Sequence, residues 1–348
     1  MGPRALALAA ALALTGCAAE GPPPVTAEKV LDVPDIKPVV NAVGLAPDGS
    51  LVVVGDMDGD LIARDVPSGA QRWQVRVHPR GAARRIDGVV VSPDGALVVT
   101  LGHDAQTIEA WQAATGRQVA APRVPRSRGA AFHPTEQTLV VAAGSGLTVV
   151  DPVRAEINRT LPNAHAGERV DVVAFSGDGR VLASAAVDGN LKLWNWPDLT
   201  LRASMVMSQS LETMSPVSLA LTRDGGRAAA NGILGRLHVM DTAGGREERS
   251  FANVAEAPGH GLHAEMRFSL AFTADGDWLF APDMHDRGLR ILHVPNGKAY
   301  GVLRGDGPFY KAMAISIPAS TVAFLRPGDT QGAGPYGIEV WRLVYRAK

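Results

Sequence analysis

His165, Ser184 and Asp188 are the inventory of a nucleophilic triad: a hydroxyl to attack, an imidazole to take its proton, a carboxylate to hold the imidazole. No Gly-x-Ser-x-Gly elbow surrounds Ser184, so nothing in the local chain lifts its hydroxyl toward a substrate. A second chemistry is metal binding. Asp56, Asp58 and Asp60, then His103 and Asp104, then His260 and His263, then Asp283, His285 and Asp286 fall in short turns, and His263, Asp283 and His285 have the ligand types of a mixed nitrogen and oxygen site. No His-x-x-x-His spacing supports it, and the run Asp56 to Asp60 lacks the full ladder of a calcium loop. Neither a metal nor a cofactor is expected. A third chemistry is charge. Arg76, His78, Arg80, Arg84 and Arg85 form one basic cluster, and Arg123, Arg126 and Arg128 form another. Such patches steer acidic partners, and a plain solvated surface is the alternative reading.

What positions these residues is a repeat. The stretch His165 to Trp196 reads as three short strands joined by the turns Ser176-Gly-Asp-Gly179 and Asp188-Gly189. The first turn recurs as Ala46-Pro-Asp-Gly49, Ser92-Pro-Asp-Gly95, His133-Pro-Thr-Glu136, Thr222-Arg-Asp-Gly225, Thr273-Ala-Asp-Gly276 and, degenerate, Ile317-Pro-Ala-Ser320, at offsets of 46, 41, 43, 46, 51 and 44 residues. Periods of ~40–50 residues with several strands each predict propeller blades. A propeller adds a small core per blade, which suits the length of the chain, and the 38 glycines and 24 prolines suit its many turns.

The pattern resembles the WD40 repeat family from about residue 30 to the end. The fourth copy matches best, with Ala164-His165 for the Gly-His pair, Asp188 at the tight turn and Trp194-Asn195 for Trp-Asp. The pair is eroded elsewhere, to Arg64-Asp65, Trp111-Gln112, Val150-Asp151, Met240-Asp241, Leu292-His293 and Trp341-Arg342. The resemblance implies that His165, Ser184, Asp188 and Trp194 form a structural tetrad: the Asp holds the His, the His meets the hydroxyl, and the hydroxyl meets the indole nitrogen. It also implies that the strand near Lys29 to Ile36 completes the last blade, which otherwise ends at its third strand, Gly337 to Val344. The expected fold is therefore an all-β, seven-bladed WD40-like propeller over residues 29–348, closed by its N-terminal strand so that no sheet edge is left open.

The first residues carry a different signal. Arg4 precedes an apolar run, Ala5 to Leu14, and then Leu14-Thr-Gly-Cys17. This resembles a secretion signal ending in the lipobox of bacterial lipoproteins. The resemblance implies removal of residues 1–16, lipidation of Cys17 and a short Pro-rich tether over 17–28. Cys17 is the only cysteine in the chain, so the folded part would hold without a disulfide. A formal charge of −1 gives no bulk field toward nucleic acid.

The functional expectation is a lipid-anchored, monomeric interaction scaffold of the bacterial envelope. It faces the periplasm, with the outer membrane favoured, and docks an envelope protein through Arg80, Arg84, Arg85, Arg123, Arg126 and Arg128. The alternative is a lactonase-like propeller hydrolase with a site at the channel mouth drawn from Arg85, Asp58, Asp104, His263, Asp283 and His285. Three further stretches interrupt the regular turns: Met205 to Pro216, Phe251 to Met266, and Pro327 to Tyr336. The methionines of the first read either as a plug over the channel or as an adaptable contact surface.

Overall fold

The structure is a computed structural model. It describes residues 25–36, 40–77, 85–102, 107–207, 216–232, 236–251, 267–283, 288–304, 312–326 and 336–345. After strand β1 (Val25–Ile36), blade one is β2 (Val40–Leu45), β3 (Leu51–Asp56), β4 (Asp60–Asp65) and β5 (Gln71–Arg76). Blade two is β6 (Gly88–Val91), β7 (Leu97–Leu101), β8 (Glu109–Gln112) and β9 (Gln118–Ala120), and blade three is β10 (Ser127–Phe132), β11 (Leu139–Ala143), β12 (Gly146–Asp151) and β13 (Glu156–Leu161). Blade four is β14 (Val170–Phe175), β15 (Val181–Ala186), β16 (Asn190–Asn195) and β17 (Thr200–Val206), and blade five is β18 (Pro216–Leu221), β19 (Arg227–Gly232), β20 (Leu237–Asp241) and β21 (Arg246–Phe251). The two-residue strand β22 (Arg267–Phe268) precedes blade six, which is β23 (Ala271–Phe272), β24 (Trp278–Asp283), β25 (Gly288–His293) and β26 (Lys298–Arg304). Blade seven is β27 (Ala312–Ser316), β28 (Thr321–Arg326), β29 (Tyr336–Tyr345) and, outermost, β1.

Each blade is an antiparallel meander, and β1 pairs with β29 from Val25 opposite Tyr345 to Ile36 opposite Tyr336. The chain is thus closed as the seven-fold repeat requires. Seven apolar clusters lie one at each junction between neighbouring blades. The period of two along each strand explains this, because alternate side chains go to opposite neighbours. Trp73, Trp111, Trp194 and Trp341 are buried in these junctions, while Trp196 and Trp278 pack at their margins. The indole of Trp73 also donates across a junction to the carbonyl of Ala113, at 2.8 Å.

Three elements differ from the reading of the sequence. β1 begins at Val25, inside the stretch assigned to the tether, because Val25 and Ala27 alternate into the junction of blades six and seven beside Phe280 and Trp341. The outer strand of blade five, read from the sequence as Arg249 to Val254, starts at Arg246. Gly245, at φ 63°, turns the chain at once, and its N–H closes the turn on the carbonyl of Asp241 at 3.0 Å. The inner strand of blade six, read from the sequence as one run from Arg267 to Phe272, is broken at Ser269. β22 instead pairs in parallel with β27 of the next blade, and Ser269 N–H continues that pairing to the carbonyl of Met313 at 3.2 Å.

The closing strand is held by side chains as well as by its ladder. Asp32 accepts from Arg326 at 2.8 Å and from Lys29 at 3.1 Å, and Lys29 also sits 5.1 Å from the centre of the Trp341 ring. Burial pushes the Asp32 carboxyl upward, but those two cations outweigh it and hold it below the usual range. Leu31 lies in the junction of blades seven and one. We expect Leu31→Ala to destabilise the protein by about 2–4 kcal/mol, read as a lower urea midpoint. Deletion of residues 1–36 leaves β29 as an open edge, and size-exclusion chromatography should then report association or aggregation of the shortened chain.

Candidate functional site

Because successive strands alternate in direction, the hairpin turns inside the blades divide between two faces. The turns from first to second strand share one face with those from third to fourth. The connections from one blade to the next share the other face with the turns from second to third strand. We call these the turn face and the loop face.

The turn face is locked by its own hydrogen bonds. In blade four, Ser176 Oγ donates to Asp178 Oδ1 at 2.7 Å, Asp178 accepts from the N–H of Arg180 at 3.0 Å, and Ser176 accepts from the N–H of Val181 at 3.0 Å. Ser92 with Asp94, Thr222 with Asp224 and Thr273 with Asp275 repeat the pattern. The glycine that follows each Asp in blade four and in these blades lies at φ 68–75°, where a side chain would be strained. Hydroxyl and backbone donors hold the carboxyls of Asp94 and Asp224 below the usual range, and at Asp178 they outweigh the opposing effect of burial. His133 replaces the hydroxyl in blade three. Its Nδ1 accepts from the N–H of Glu136 at 3.1 Å, so Nε2 carries the proton and donates to the carbonyl of Gly179 in the next blade at 3.1 Å.

The four residues singled out in blade four form one directional chain. The indole of Trp194 donates to Ser184 Oγ at 2.9 Å, Ser184 lies 2.8 Å from His165 Nε2, and His165 Nδ1 lies 3.0 Å from Asp188 Oδ2. Asp188 only accepts, so Nδ1 carries the proton, Nε2 accepts from the Ser184 hydroxyl, and that hydroxyl in turn accepts from the indole. Every group is used, and His165 and Ser184 are both wholly buried. The hydroxyl therefore has no access for the attack that its residue types allow, and its proton and one of its lone pairs are already engaged. Burial of the ring holds the His165 pKa below 6.5 against the pull of Asp188.

Other blades solve the same burial problem with different residues. In blade two, Trp111 donates to Thr100 at 3.3 Å, Thr100 to Glu109 at 3.2 Å, and Thr107 to Glu109 at 2.7 Å. In blade seven, Trp341 donates to Glu339 at 3.1 Å, and Arg326 ties Glu339 at 2.9 Å to Asp32 of the closing strand. In blade six, buried Asp283 pairs with Arg290. The glutamates were not singled out from the sequence, although Glu109 and Glu339 both stand two residues before a tryptophan.

The remaining candidates are distributed as follows. Asp283 is committed to Arg290, and His103, Asp104, His260, His263, His285 and Asp286 lie outside the described residues. Among the described residues, no group of three or more His, Cys, Asp or Glu is placed to hold a metal ion. Asp56 turns its Oδ1 onto the N–H groups of Asp58 and Asp60, at 2.9 and 2.7 Å, so the acidic turn caps itself. Its Oδ2 is buried with no partner among the described residues. Burial first, and the nearby Asp60 and Asp58 charges next, raise Asp56 to about 6 despite those two donors. Met205 and Met207 are core residues of the junction between blades four and five, not a plug, while Glu212 and Met214 lie outside the described residues.

Of the basic residues, Arg80 and Arg84 lie outside the described residues, and Arg85 is paired with Asp87 at 2.5 Å. Arg123 and Arg126 are exposed on the loop face before blade three and make no ion pair among the described residues. Arg128 enters the central channel. There the inner strands of all seven blades enclose a cavity of about 200 Å³.

Comparison with known proteins agrees with this architecture. The repeat model "WD domain, G-beta repeat" matches residues 156–195, from the outer strand of blade three through the third strand of blade four. The chain is similar to the rat and mouse proteins called Telomerase protein component 1, at 25% identity over 289 residues and 23% over 287, in each case 82% of this chain and 10% of the relative. It is also similar to Centriole proteome protein 16 of Chlamydomonas reinhardtii, at 36% identity over 73 residues, 21% of this chain and 3% of the relative. The chain thus spans a tenth or less of the length of these relatives.

Two outcomes follow from the buried networks. Ser184→Ala leaves an indole N–H without its acceptor and the imidazole without its donor, and should destabilise the fold by about 1–3 kcal/mol in chemical denaturation. The stability tied to His165 is fully present above its unfolded value of 6.5 and is lost as pH falls through the lower folded value. Asp56 has the opposite sign: its contribution is present below the unfolded 3.8 and is lost as pH rises through about 6. The stability difference between Asp56→Asn and the parent should therefore move in favour of the variant as thermal melts are taken from pH 4 to pH 8.

Proposed function

We propose that this propeller is a protein-interaction scaffold that docks its partner on the loop face. The observation that carries the reading is the contrast between the two faces. Among the described residues, the turn face spends its polar groups on its own backbone, whereas the loop face, whose Asp56 and Asp188 turns also cap themselves, presents the exposed Arg123 and Arg126. A rigid, edge-free ring suits such presentation, because little ordering is needed on binding.

The finer reading makes the scaffold a bacterial envelope lipoprotein anchored through Cys17, and it rests on the Leu14-Thr-Gly-Cys17 pattern alone. Cys17 and Val25 are eight residues apart, at most about 29 Å of chain. Val25 pairs with Tyr345, at the turn-face end of β29. In this reading the turn face lies toward the bilayer and the arginines point away from it, toward a partner.

The test is crosslinking and co-purification with the parent chain and with a variant carrying Arg123→Glu and Arg126→Glu, both exposed and so neutral for folding. A discrete protein captured by the parent and lost from the variant supports the docking face. Capture that ignores the charge reversal moves the docking elsewhere, and no specific capture counts against the scaffold. Separately, Cys17→Ser should release the protein from the membrane fraction, and mass analysis of the parent should find acyl chains on Cys17.

A further inference from the structure

The turn from first to second strand departs from the repeat in blade seven. At its third position blades one, two, four, five and six carry Asp48, Asp94, Asp178, Asp224 and Asp275, and blade three carries Glu136 one residue later. Blade seven has Ala319 there, in the sequence Ile317-Pro-Ala-Ser320. Backbone and hydroxyl donors of their own turns hold the carboxyls of Asp48, Asp94 and Asp224 below the usual range, so these turns are charged at neutral pH. The turn of blade seven is neutral.

Around that turn, the turn-face end of the junction between blades six and seven is apolar. Ile315 and Ile317 of blade seven and Trp278 of blade six stand half-buried at its margin. The ring of Trp278 lies 4.6 Å from that of His293 and 5.1 Å from that of Tyr300, both half-buried on the same blade. β29 ends here in Val344 and Tyr345, which are 36% and 41% exposed, and the Tyr345 ring lies 6.4 Å from Phe280. Of the described tyrosines, Tyr336 is buried, and Tyr300 and Tyr345 both belong to this patch. Lys298 and Arg342 stand beside it with Glu28, Asp275 and Asp277, two cations against three anions, so charge does not choose what it meets.

What covers the patch follows from the chain that enters it. Val25 and Ala27 belong to the core of the same junction, and Val25 lies opposite Tyr345. Cys17 is eight residues away, at most about 29 Å of chain. A lipid on Cys17 therefore holds this edge of the turn face against the bilayer. Trp and Tyr rings favour the headgroup layer, where one end is apolar and the other wet. An attached anchor makes the further contact intramolecular, so a patch too small to hold a membrane from solution suffices. The acidic turns of the other blades oppose a flat approach, because a carboxylate would lose its water there. We propose that the edge of the turn face at the junction of blades six and seven is a bilayer-contact surface, with Trp278, Tyr300, Tyr345 and Ile317 in the headgroup layer and the ring tilted onto that edge. This rests on the Cys17 reading for its anchor and assigns the surface that the anchor seats on lipid.

The experiment supplies the anchor chemically, so it does not depend on lipidation in cells. Cys17 is the only cysteine, and the full chain made without lipidation couples there to a maleimide headgroup on phosphatidylcholine vesicles with brominated acyl chains. Bromine quenches the fluorescence of tryptophans that reach the lipid. The expected result is quenching in the parent that is lost in Trp278→Phe and in Ala319→Asp. Asp stands at that turn position in five other blades, so Ala319→Asp keeps the fold, which a thermal melt checks. Absence of quenching in the parent, or its survival in either variant, overturns the proposal; survival in Trp278→Phe with loss in Trp196→Phe would seat blades three and four instead. A photo-crosslinking residue in place of the exposed Pro318, with cell extract added to the same vesicles, should label lipid. A discrete protein adduct there overturns the proposal and makes the patch a protein interface. Mass analysis of Cys17 from cells tests the anchor separately, so a failed seat and a failed lipoprotein reading are told apart.

Discussion

Everything in this molecule depends on closing the ring. Six blades take all four strands from consecutive sequence, and the seventh takes three from one end of the chain and one from the other. Until β1 lies against β29, the junctions of blade seven with both its neighbours lack part of their cores. Val25 and Ala27 belong to the junction with blade six, Leu31 and Ile36 to the junction with blade one. This contact spans nearly the whole sequence, so it is the pairing with the largest loop-closure entropy. Arg326 shows how the closure is reinforced: one guanidinium binds Asp32 on the incoming strand and Glu339 on the strand that receives it.

The same guanidinium links closure to the second requirement, satisfaction of polar groups buried inside blades. An indole nitrogen in a junction needs an acceptor, since an unmade bond at a buried donor is far more unfavourable than a made one is favourable. Blade four meets this need with a serine, a histidine and an aspartate in series. Blade two uses Thr100 and Glu109, and blade seven uses Glu339 and Arg326. Erosion of the repeat has therefore not left the indole nitrogens of Trp111, Trp194 and Trp341 bare; a different set of side chains completes each network. That is why the triad-like residue types of blade four carry no reactivity. A hydroxyl that donates to an imidazole and accepts from an indole in a dry junction is a structural link.

Legibility in the sequence followed the same division. The turns were readable because their chemistry is local. A hydroxyl, an Asp two residues on and a Gly after it specify a turn wherever they fall, and the turns of blades two, four, five and six carry all three in register with the rest of the repeat. The blade-four tetrad was readable from its family resemblance. The glutamates of blades two and seven were not, because their partner is fixed by a cross-strand register, Thr100 opposite Glu109, and by a closing strand some 300 residues away in sequence. The repeated Glu-x-Trp spacing was the one trace they left. The break in blade six was unreadable for a related reason: β22 pairs with the next blade, and a strand of two residues has no periodicity to announce it. The basic cluster was readable as composition but not as electrostatics. Only the structure places Asp87 on Arg85 and sends Arg128 inward.

That last distinction decides which charges can act on a partner. On the turn face the carboxylates are already acceptors for their own backbone, and their depressed affinities for protons reflect those bonds. Arg227 on that side is likewise tied to Glu248 by two contacts, at 2.8 and 3.1 Å. Around the channel on the loop face, Asp87 of blade two pairs with Arg85, and Asp171 of blade four with Arg169. The seven-fold scaffold supplies rigidity without direction. Direction enters through the blade that departs from the repeat, in which arginine stands at 126 and 128 where the next blade has arginine followed by aspartate.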